Sequence, residues 1–346
     1  EGREVERGMV ARELPDLPAR PLPGAAAGER PSRVGLPLWL LRTGLAARRT
    51  LREERVDCVV STGGRASVPV GLAARSLGVP LFLLEQNAIT GRANRWLAPF
   101  AKRMYRGLPA AGRRDPGFVT GTPLRPEVGR IARERARHEL GLVGAAPLVL
   151  VVGGSQGAQA LNEAVPAALR RLDLPLAVVH LAGSGHDGDV ARRYRRGSDG
   201  SGSDGLGPDG GDPNAGPALD AIVLPTASDM ARLYAAADLV VCRGGGTTVA
   251  ELVAAGRAAV IVPYPHHRDR QQFENAKVLA AVDAAVIVEQ QELDPVGLAD
   301  VLGALLGDPA RLRRMGEAAR KVNAGDATTA IVDDIERING WSAGGA

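Results

Sequence analysis

Residues 149–158 read VLVVGGSQGA, an apolar run that passes directly into a glycine-rich turn. Consecutive branched apolar residues indicate a strand buried on both faces, and the glycines let the backbone turn sharply into the helical pattern that follows. Such a turn directs backbone N–H groups and the positive end of a helix at an anion. The stretch predicts an α/β fold with a phosphate-binding turn, although a turn without a ligand remains the alternative at this point.

A second stretch of the same kind is LVVCRGGGTTVAE, residues 239–251. It again joins an apolar strand to a helix through glycines, and two anion-binding turns in one half of the chain suggest a diphosphate ligand. Glu251 follows on the predicted helix, where a carboxylate can accept hydrogen bonds from two vicinal sugar or ribose hydroxyls. A solvated helix residue is the alternative reading of Glu251.

Apolar strand patterns alternate with Ala- and Leu-rich helical patterns along most of the chain, which is the βαβ pattern of parallel sheets. The segment 105–147, with a helix expected over 125–140, separates two such series. We therefore expect a first Rossmann-like domain over 1–140 and a second over 141–322. A Gly/Asp/Ser-rich insertion at 197–217 should be flexible, and residues 323–346 should form a C-terminal helix that packs back toward the first domain.

Composition narrows the function classes for these 346 residues, of which 45% are hydrophobic and 24% charged, with a net charge of +4. No apolar run is long enough to span a bilayer. The basic residues are mostly dispersed arginines without interleaved aromatics, so we expect no nucleic acid partner. Cys58 and Cys242 lie in predicted strands, which argues against a disulfide or zinc framework and for a reducing cytoplasm. Asp187-Gly188-Asp189 matches a metal-binding pattern only formally, and no metal site is predicted.

Further polar residues stand at the ends of predicted strands, where open α/β sheets bind ligands. Ser61-Thr62-Gly63-Gly64 and Glu85-Gln86-Asn87 follow two strands of the first half. Arg125 in the joining segment offers a guanidinium. Downstream, Asp269 is placed to cap a helix that begins with Gln271 and Gln272, whose amides suit sugar hydroxyls.

In this order, the motifs resemble the MurG family of glycosyltransferases. The resemblance spans nearly the whole chain and includes the STGG and EQNAI segments of the first half, the Gly153–Ala158 turn, Asp229-Met230, Cys242-Arg243 with its glycines, and Asp269-Arg270-Gln271-Gln272. It implies the GT-B fold, in which two Rossmann-like domains with parallel sheets face each other across a cleft. The implied reaction moves N-acetylglucosamine, with inversion, from UDP-N-acetylglucosamine to lipid I (undecaprenyl-pyrophosphoryl-N-acetylmuramyl-pentapeptide) and yields lipid II for peptidoglycan.

The resemblance also implies roles for individual residues, almost all of them in donor binding. Ser155 would hold the diphosphate, Glu251 the ribose hydroxyls, and Gln271 with Gln272 the sugar. The remaining implied donor-site residues are Asn87 and Arg125 beside the donor, Ala227 at the uracil, and Gly246, Thr247, Thr248, Val249 and Ala250 against the nucleotide. No cofactor is implied beyond the donor substrate.

Three departures from the family pattern bear on acceptor handling: Arg65, Leu84 and Gly244 stand where Tyr, His and Ser are usual. The family's N-terminal glycine-rich loop, which carries the presumed catalytic base, is expected to precede this sequence, so the base stays unidentified. A UDP-N-acetylglucosamine 2-epimerase-like isomerase and a non-catalytic nucleotide-sugar-binding protein remain alternatives.

The family implies a peripheral protein on the cytoplasmic face of the inner membrane, with other cell-wall synthesis proteins as further partners. Residues 36–45, which include Trp39, with Arg48 and Arg49 after them, could form an apolar patch with a basic rim for an anionic membrane surface. Trp96, Lys102 and Arg103 would complete this patch. An ordinary buried helix is the alternative.

Overall fold

The computed structural model describes residues 16–17, 20, 22, 35–111, 117–142, 146–154, 157–195, 219–266, 269–323 and 325–341. The chain divides into two compact units. Unit 1 comprises residues 1–122 and 326–346, and unit 2 comprises residues 123–325. Each is an α/β unit with a parallel sheet, as the alternating pattern predicts.

The sheet of unit 1 has four described strands in the order β1-β2-β3-β4, all parallel. The strands are β1 (Val59–Ser61), β2 (Leu81–Glu85), β3 (Arg103–Arg106) and β4 (Phe118–Val119). The central strands β2 and β3 are almost wholly buried, which explains the apolar run of β2. Strand β3 was not predicted, because its Arg-Met-Tyr-Arg sequence has no apolar run.

Helices cover this sheet from both ends of the chain. They are α1 (Leu36–Glu53), α2 (Ser67–Leu77), α3 (Arg92–Leu97, followed by a 3-10 turn at Ala98–Phe100) and the C-terminal helix, Ala327–Asn339. Ile331 and Ile335 of the C-terminal helix pack on Phe82 and Tyr105, and the Tyr105 hydroxyl donates to Asp334 Oδ2 at 2.9 Å. The last helix, expected to pack back toward the first domain, thus completes the core of unit 1.

In the part of unit 2 that the structure describes, the sheet has six strands, all parallel, in the order β10-β9-β8-β5-β6-β7. This strand order is the doubly wound arrangement of a Rossmann fold: from β5 the chain first adds strands on one side, and from β8 it adds them on the other side. The strands are β5 (Leu148–Val152), β6 (Leu176–Leu181), β7 (Leu219–Leu224), β8 (Leu239–Cys242), β9 (Ala258–Ile261) and β10 (Ala285–Ile287). The apolar core packs on these strands and contains many Val, Leu and Ala side chains.

Helices alternate with these strands along the described part of unit 2. They are α4 (Arg133–Glu139), α5 (Gln159–Leu169), α6 (Asp187–Arg195), α7 (Met230–Ala236), α8 (Gly246–Ala255), α9 (Gln271–Ala280), α10 (Pro295–Leu306) and α11 (Pro309–Val322), and the C-terminal helix of unit 1 becomes α12. A 3-10 turn lies at Gln290–Glu292. The insertion expected at 197–217 lies outside the described residues.

Two expectations about the joining segment are wrong. The boundary lies at Thr122/Pro123 instead of after residue 140, because Arg133 and Arg137 of α4 form ion pairs with Asp238 of unit 2. The helix expected over 125–140 covers only Arg133–Glu139. Gly129 interrupts the expected helix with a φ of +80°, and a Cβ there would lie 2.2 Å from the Ala254 carbonyl oxygen. Only glycine therefore fits at this position.

Candidate functional site

The two glycine-rich turns lie side by side in unit 2. Strands β5 and β8 are hydrogen-bonded neighbours, and their last residues, Val152 and Cys242, are partners in register. Each turn follows directly from its strand and leads into a helix, α5 or α8. This is the switch point of the sheet, where doubly wound folds bind their ligands at the carboxyl ends of the strands.

In the first turn the backbone lies very close to neighbouring backbone, so its glycines have no room for side chains. Gly154 and Gly157 have φ angles of +85° and +74°, and the Gly157 N–H donates to the Gly154 carbonyl at 2.9 Å. A Cβ on Gly157 would lie 2.3 Å from the Ala182 carbonyl oxygen. Helix α5 begins two residues later without a side-chain cap, so its first N–H groups remain available to an anion. Ser155, predicted to hold the diphosphate, lies outside the described residues.

A buried side-chain network fixes the helix that follows this turn. Asn162 of α5 donates to the Ala182 carbonyl oxygen at 2.9 Å. The ring of His180 bridges Asn162 Oδ1 and the Tyr194 hydroxyl, each at 3.0 Å. Burial lowers the pKa of His180 to about 3, so the imidazole is neutral near neutral pH. The network ties α5 and α6 to β6 beside the turn.

The second turn is coupled to the start of α9. A Cβ on Gly244 would lie 2.2 Å from the Gln272 carbonyl oxygen, and the buried Asn275 amide donates to the Gly244 carbonyl oxygen at 2.9 Å. Gly244, which stands where the family usually has Ser, thus permits this close approach. Helix α8 begins at Gly246 without a side-chain cap. The predicted nucleotide-contacting residues Gly246, Thr247, Thr248, Val249 and Ala250 therefore form its first turns.

Glu251 lies on α8 beyond the second turn and is only partly buried. The Tyr234 hydroxyl donates to its Oε2 at 2.9 Å. Burial raises the pKa of the Glu251 carboxyl, while the hydrogen bond from Tyr234 and the charge of Arg125 oppose that rise. Arg125 in turn donates to the Ser228 carbonyl oxygen at 2.8 Å, directly after Ala227. The predicted ribose, uracil and guanidinium positions thus belong to one neighbourhood of unit 2.

Gln271 and Gln272 open α9 after a residue in an uncommon conformation. Arg270, the N-cap, has a φ of +50°, and it forms an ion pair with Glu289 at 2.7 Å while its guanidinium lies 3.9 Å from the centre of the Phe273 ring. The Asp269 carboxylate accepts from the Gln271 N–H at 3.2 Å, so the expected capping carboxylate lies one residue before the N-cap.

The Gln272 amide is already oriented by the backbone. Its Oε1 accepts from the Tyr264 N–H at 2.9 Å, so Nε2 is the donor group at the other end of a fixed amide. A pocket of about 250 Å³ next to this segment is lined by Tyr264, Arg270, Phe273, Glu289 and their neighbours.

The polar residues predicted in the first half of the chain lie in unit 1. Asn87 follows β2, and its side chain and backbone N–H both donate to Glu85 Oε1 at 3.1 Å. Glu85 Oε2 accepts from the Gly91 N–H at 2.7 Å and from Asn94 Nδ2 at 3.0 Å. On the other side, the fully buried Arg106 donates to the carbonyl oxygens of Asn87 and Ala88 and to the Thr90 hydroxyl. A buried carboxylate and a buried guanidinium therefore hold the segment 87–94, defined here as the Asn87 loop.

Several supporting residues were missed by sequence reasoning. Tyr234, Asn275, His180 and Arg106 all read as core or as surface in a single sequence, because their partners lie far away along the chain. The weak signal was a polar residue inside an apolar run, as with His180 in β6. Among the described residues no cluster of three or more metal-ligating side chains occurs, and Asp189 of the formal Asp-x-Asp pattern forms an ion pair with Arg192.

Comparisons with known proteins match both halves of the chain. The model of the glycosyltransferase family 28 C-terminal domain matches residues 148–331, and that of the N-terminal domain matches residues 15–106. The UDP-N-acetylglucosamine–N-acetylmuramyl-(pentapeptide) pyrophosphoryl-undecaprenol N-acetylglucosamine transferase of Ectopseudomonas mendocina is 41% identical over 87% of this chain and 79% of its own length. The Pseudomonas aeruginosa transferase of the same name is 38% identical over 96% and 87%.

Solved structures give the same result for the fold. The crystal structure of Acinetobacter baumannii MurG has a TM-score of 0.74 and 30% identity, covering 96% of this chain and 88% of its own. A UDP-GlcNAc 2-epimerase from Neisseria meningitidis has a TM-score of 0.63 but only 10% identity, covering 97% and 90%, so its likeness concerns the fold alone. The predicted GT-B class is confirmed.

Proposed function

The chain belongs to glycosyltransferase family 28 and, within it, to the MurG family, and from that premise we propose that it transfers N-acetylglucosamine from UDP-N-acetylglucosamine to lipid I, yielding lipid II. The observation that carries the proposal is the pair of uncapped helix N-termini at the switch point of unit 2, with Glu251 beyond them. That arrangement suits a nucleoside diphosphate sugar.

Donor binding divides among the elements of unit 2. The first turn and the start of α5 hold the diphosphate, and the first turn of α8 lies against the nucleotide. Glu251 accepts from the ribose hydroxyls, the backbone at Ala227 meets the uracil, and Gln271 with Gln272 reads the sugar. The hydrogen bond from Tyr264 to Gln272 Oε1 supports the last role, because it orients a donor group toward hydroxyl oxygens.

The chemistry is a single displacement. A base removes the proton from the C4 hydroxyl of the muramyl sugar, the oxygen forms a bond to the anomeric carbon, and the bond from that carbon to UDP breaks with inversion. Negative charge develops on the leaving diphosphate, and the N–H groups of the first turn and of both helix starts stabilise it without reorganisation. We propose that no resident cofactor takes part, so transfer should persist in excess chelator.

The decisive experiment measures transfer of labelled N-acetylglucosamine to a lipid I analogue, together with the Kd of UDP. The test variant is Glu251→Ala, and the control is Glu317→Ala, at an exposed glutamate of α11. Loss of the hydrogen bonds that a carboxylate makes to the ribose should weaken UDP binding about tenfold or more, whereas the control should match the wild type. Unchanged UDP affinity in Glu251→Ala would contradict the ribose assignment.

The same assay separates the alternatives. Conversion of the donor to its 2-epimer without an acceptor would indicate an isomerase. Donor binding with no transfer to lipid I would favour a non-catalytic nucleotide-sugar-binding protein. The 41% identical relative is a transferase by name, whereas the epimerase shares only 10% of its residues, and this difference supports transfer.

Helix α1 supports docking on an anionic membrane surface at the cytoplasmic face. Leu36, Leu38, Leu41 and Leu45 are between 43% and 60% exposed, whereas a helix buried in the core would hide them. Trp96 in the same unit is 73% exposed. The described helices include none long and apolar enough to cross a membrane. Binding would therefore use the apolar face together with nearby basic residues such as Arg42 and Arg49.

Vesicle binding tests this surface. Leu41→Asp combined with Leu45→Asp should lower binding to vesicles rich in phosphatidylglycerol about tenfold or more. Each leucine that enters the bilayer contributes on the order of 1.5 kcal/mol or more to binding. Val332→Asp, which changes another exposed apolar residue of unit 1, on α12 and 46% exposed, is the control. Equal binding to neutral and anionic vesicles would contradict the basic rim, and an equal loss in the control would contradict the assignment to α1.

A further inference from the structure

We propose that Tyr234 is the positioning residue for Glu251: its hydroxyl holds the carboxylate in place for the ribose, so that discrimination between ribose and deoxyribose donors depends on a phenol that does not itself touch the nucleotide. This inference rests on the proposed donor site. It assigns the recognition of the ribose to a pair of residues, one in α7 and one in α8.

The pair of Tyr234 and Glu251 joins a fully buried phenol to a partly buried carboxylate. Tyr234 is fully buried, and its hydroxyl donates to Glu251 Oε2 at 2.9 Å. Asp229 caps the start of α7 by accepting from the Arg232 N–H at 3.0 Å, and Arg257 donates to the Ala235 carbonyl oxygen at 2.8 Å. Because α7 is held at both ends, the Tyr234 hydroxyl has a fixed position.

The hydrogen bond also leaves the carboxylate free to bind a diol. A carboxylate offers about four lone-pair positions on its two oxygens. Tyr234 occupies one position on Oε2, so Oε1 and the rest of Oε2 remain for two vicinal hydroxyls. A fixed carboxylate loses less conformational entropy on binding than a mobile one.

Charge reinforces the role of the hydroxyl. The groups that act on the pKa of Glu251 are the Tyr234 hydroxyl and the Arg125 guanidinium. The Glu251 charge in turn raises the pKa of the buried Cys242 thiol of β8. Burial raises the pKa of Glu251, and the Tyr234 hydrogen bond is the larger of the two influences that oppose this. The hydroxyl therefore favours the ionised form of the carboxylate, whose hydrogen bonds to ribose are the stronger ones.

A merely structural tyrosine would behave differently. If Glu251 served only to satisfy the buried hydroxyl of Tyr234, removing that hydroxyl would change stability and leave nucleotide selectivity unchanged. Tyr194 supplies the comparison, because it is a second buried tyrosine of unit 2 with a side-chain partner, His180, at 3.0 Å. Tyr194→Phe removes the same atom from a site that is distinct from the ribose neighbourhood.

The experiment measures calorimetric Kd values for UDP and 2′-deoxy-UDP between pH 8 and pH 5.5 with the full chain. Tyr234→Phe should weaken UDP binding about five- to tenfold and deoxy-UDP binding less than about twofold, so the preference for ribose falls. The acid limb of UDP binding should also move to higher pH, because Glu251 protonates more readily without the hydroxyl. Tyr194→Phe should change neither the ratio nor the limb.

Two outcomes would overturn the proposal at different steps. If the ratio of the Kd values for UDP and deoxy-UDP is unchanged in Tyr234→Phe, Tyr234 is only a core residue, and the ribose role of Glu251 stands. Equal affinity of the wild type for both nucleotides, together with an inert Glu251→Ala, would remove the ribose assignment itself. A double variant guards against misfolding: Tyr234→Phe should add no further loss of UDP affinity to Glu251→Ala if the two act as a unit.

Discussion

The Asn87 loop of unit 1 and the glycine turns of unit 2 are held in place by opposite means. Glu85 and Arg106, both at least 97% buried, grip the Asn87 loop with charged side chains from two neighbouring strands. The turns after β5 and β8 are held by the absence of side chains, since Gly157 and Gly244 approach carbonyl oxygens too closely to carry a Cβ. One region should therefore fail when atoms are removed, and the other when atoms are added.

Removing the guanidinium should have the largest effect. In Arg106→Met the carbonyl oxygens of Asn87 and Ala88 and the Thr90 hydroxyl lose a donor in a buried site, so the free energy of unfolding of unit 1 should fall by about 4 kcal/mol. Urea unfolding followed by tryptophan fluorescence reports on this unit alone, because Trp39, Trp96 and Trp341 all belong to it.

Arg49→Met is the control for this loss, since the Arg49 side chain is 80% exposed in a surface ion pair. Its effect should stay within about 0.5 kcal/mol. A loss below about 1.5 kcal/mol in Arg106→Met would mean that backbone contacts alone hold the Asn87 loop.

Adding one methyl group to the first turn should have the next largest effect. Gly157→Ala places a Cβ 2.3 Å from the Ala182 carbonyl oxygen at a φ of +74°, which should destabilise unit 2 by about 3 kcal/mol and weaken UDP binding about tenfold or more. Thermal unfolding and UDP titration measure both effects. Gly188→Ala, at an exposed helical glycine, should be neutral or stabilising, and a harmless Gly157→Ala would show that the turn tolerates side chains.

A smaller, pH-dependent effect should distinguish the His180 side-chain network from the turn beside it. Burial lowers the pKa of His180 from 6.5 to about 3, so below pH 6.5 the unfolded chain takes up a proton that the folded chain does not. Stability present above pH 6.5 is therefore lost as the pH falls toward 3, by about 2 kcal/mol at pH 5.

Hydrogen exchange of the β6 amides between pH 7 and pH 5 measures this loss in unit 2. His180→Gln should remove that part of the acid dependence, whereas His138→Gln, at an exposed position of α4, should retain it. An equal acid slope in His180→Gln would show that other groups account for the acid sensitivity.

Much of the architecture could be predicted wherever the signal was local. Strand β5 covers the apolar run that leads into the first turn, and α12 lies within the C-terminal helix predicted over 323–346. Strand β3 was missed because Arg106 ends it, and a buried arginine is recognisable only once its acceptors at Asn87, Ala88 and Thr90 are known. The helix expected over 125–140 was too long, because the constraint on Gly129 comes from Ala254, far along the chain.

The candidate site divides in the same way. Sequence reasoning singled out the turns that directly follow β5 and β8, and Glu251, Gln271 and Gln272 on helices that come after strands in the chain. It gave no indication of Tyr234, because a tyrosine inside the helical pattern Met230–Ala236 reads as core. Its hydroxyl has a role only beside the Glu251 carboxylate. Asn275 and Asn162 were missed for the same reason.

The sequence by itself determined two parallel α/β domains, the strand-to-helix turns and the family, because these depend on periodicity and on glycine at adjacent positions. The tertiary structure alone decided that the two turns are neighbours, that α12 completes the core of unit 1, and that Tyr234 meets Glu251. Those contacts join residues far apart in the chain, and buried polar groups must find partners wherever the fold brings them.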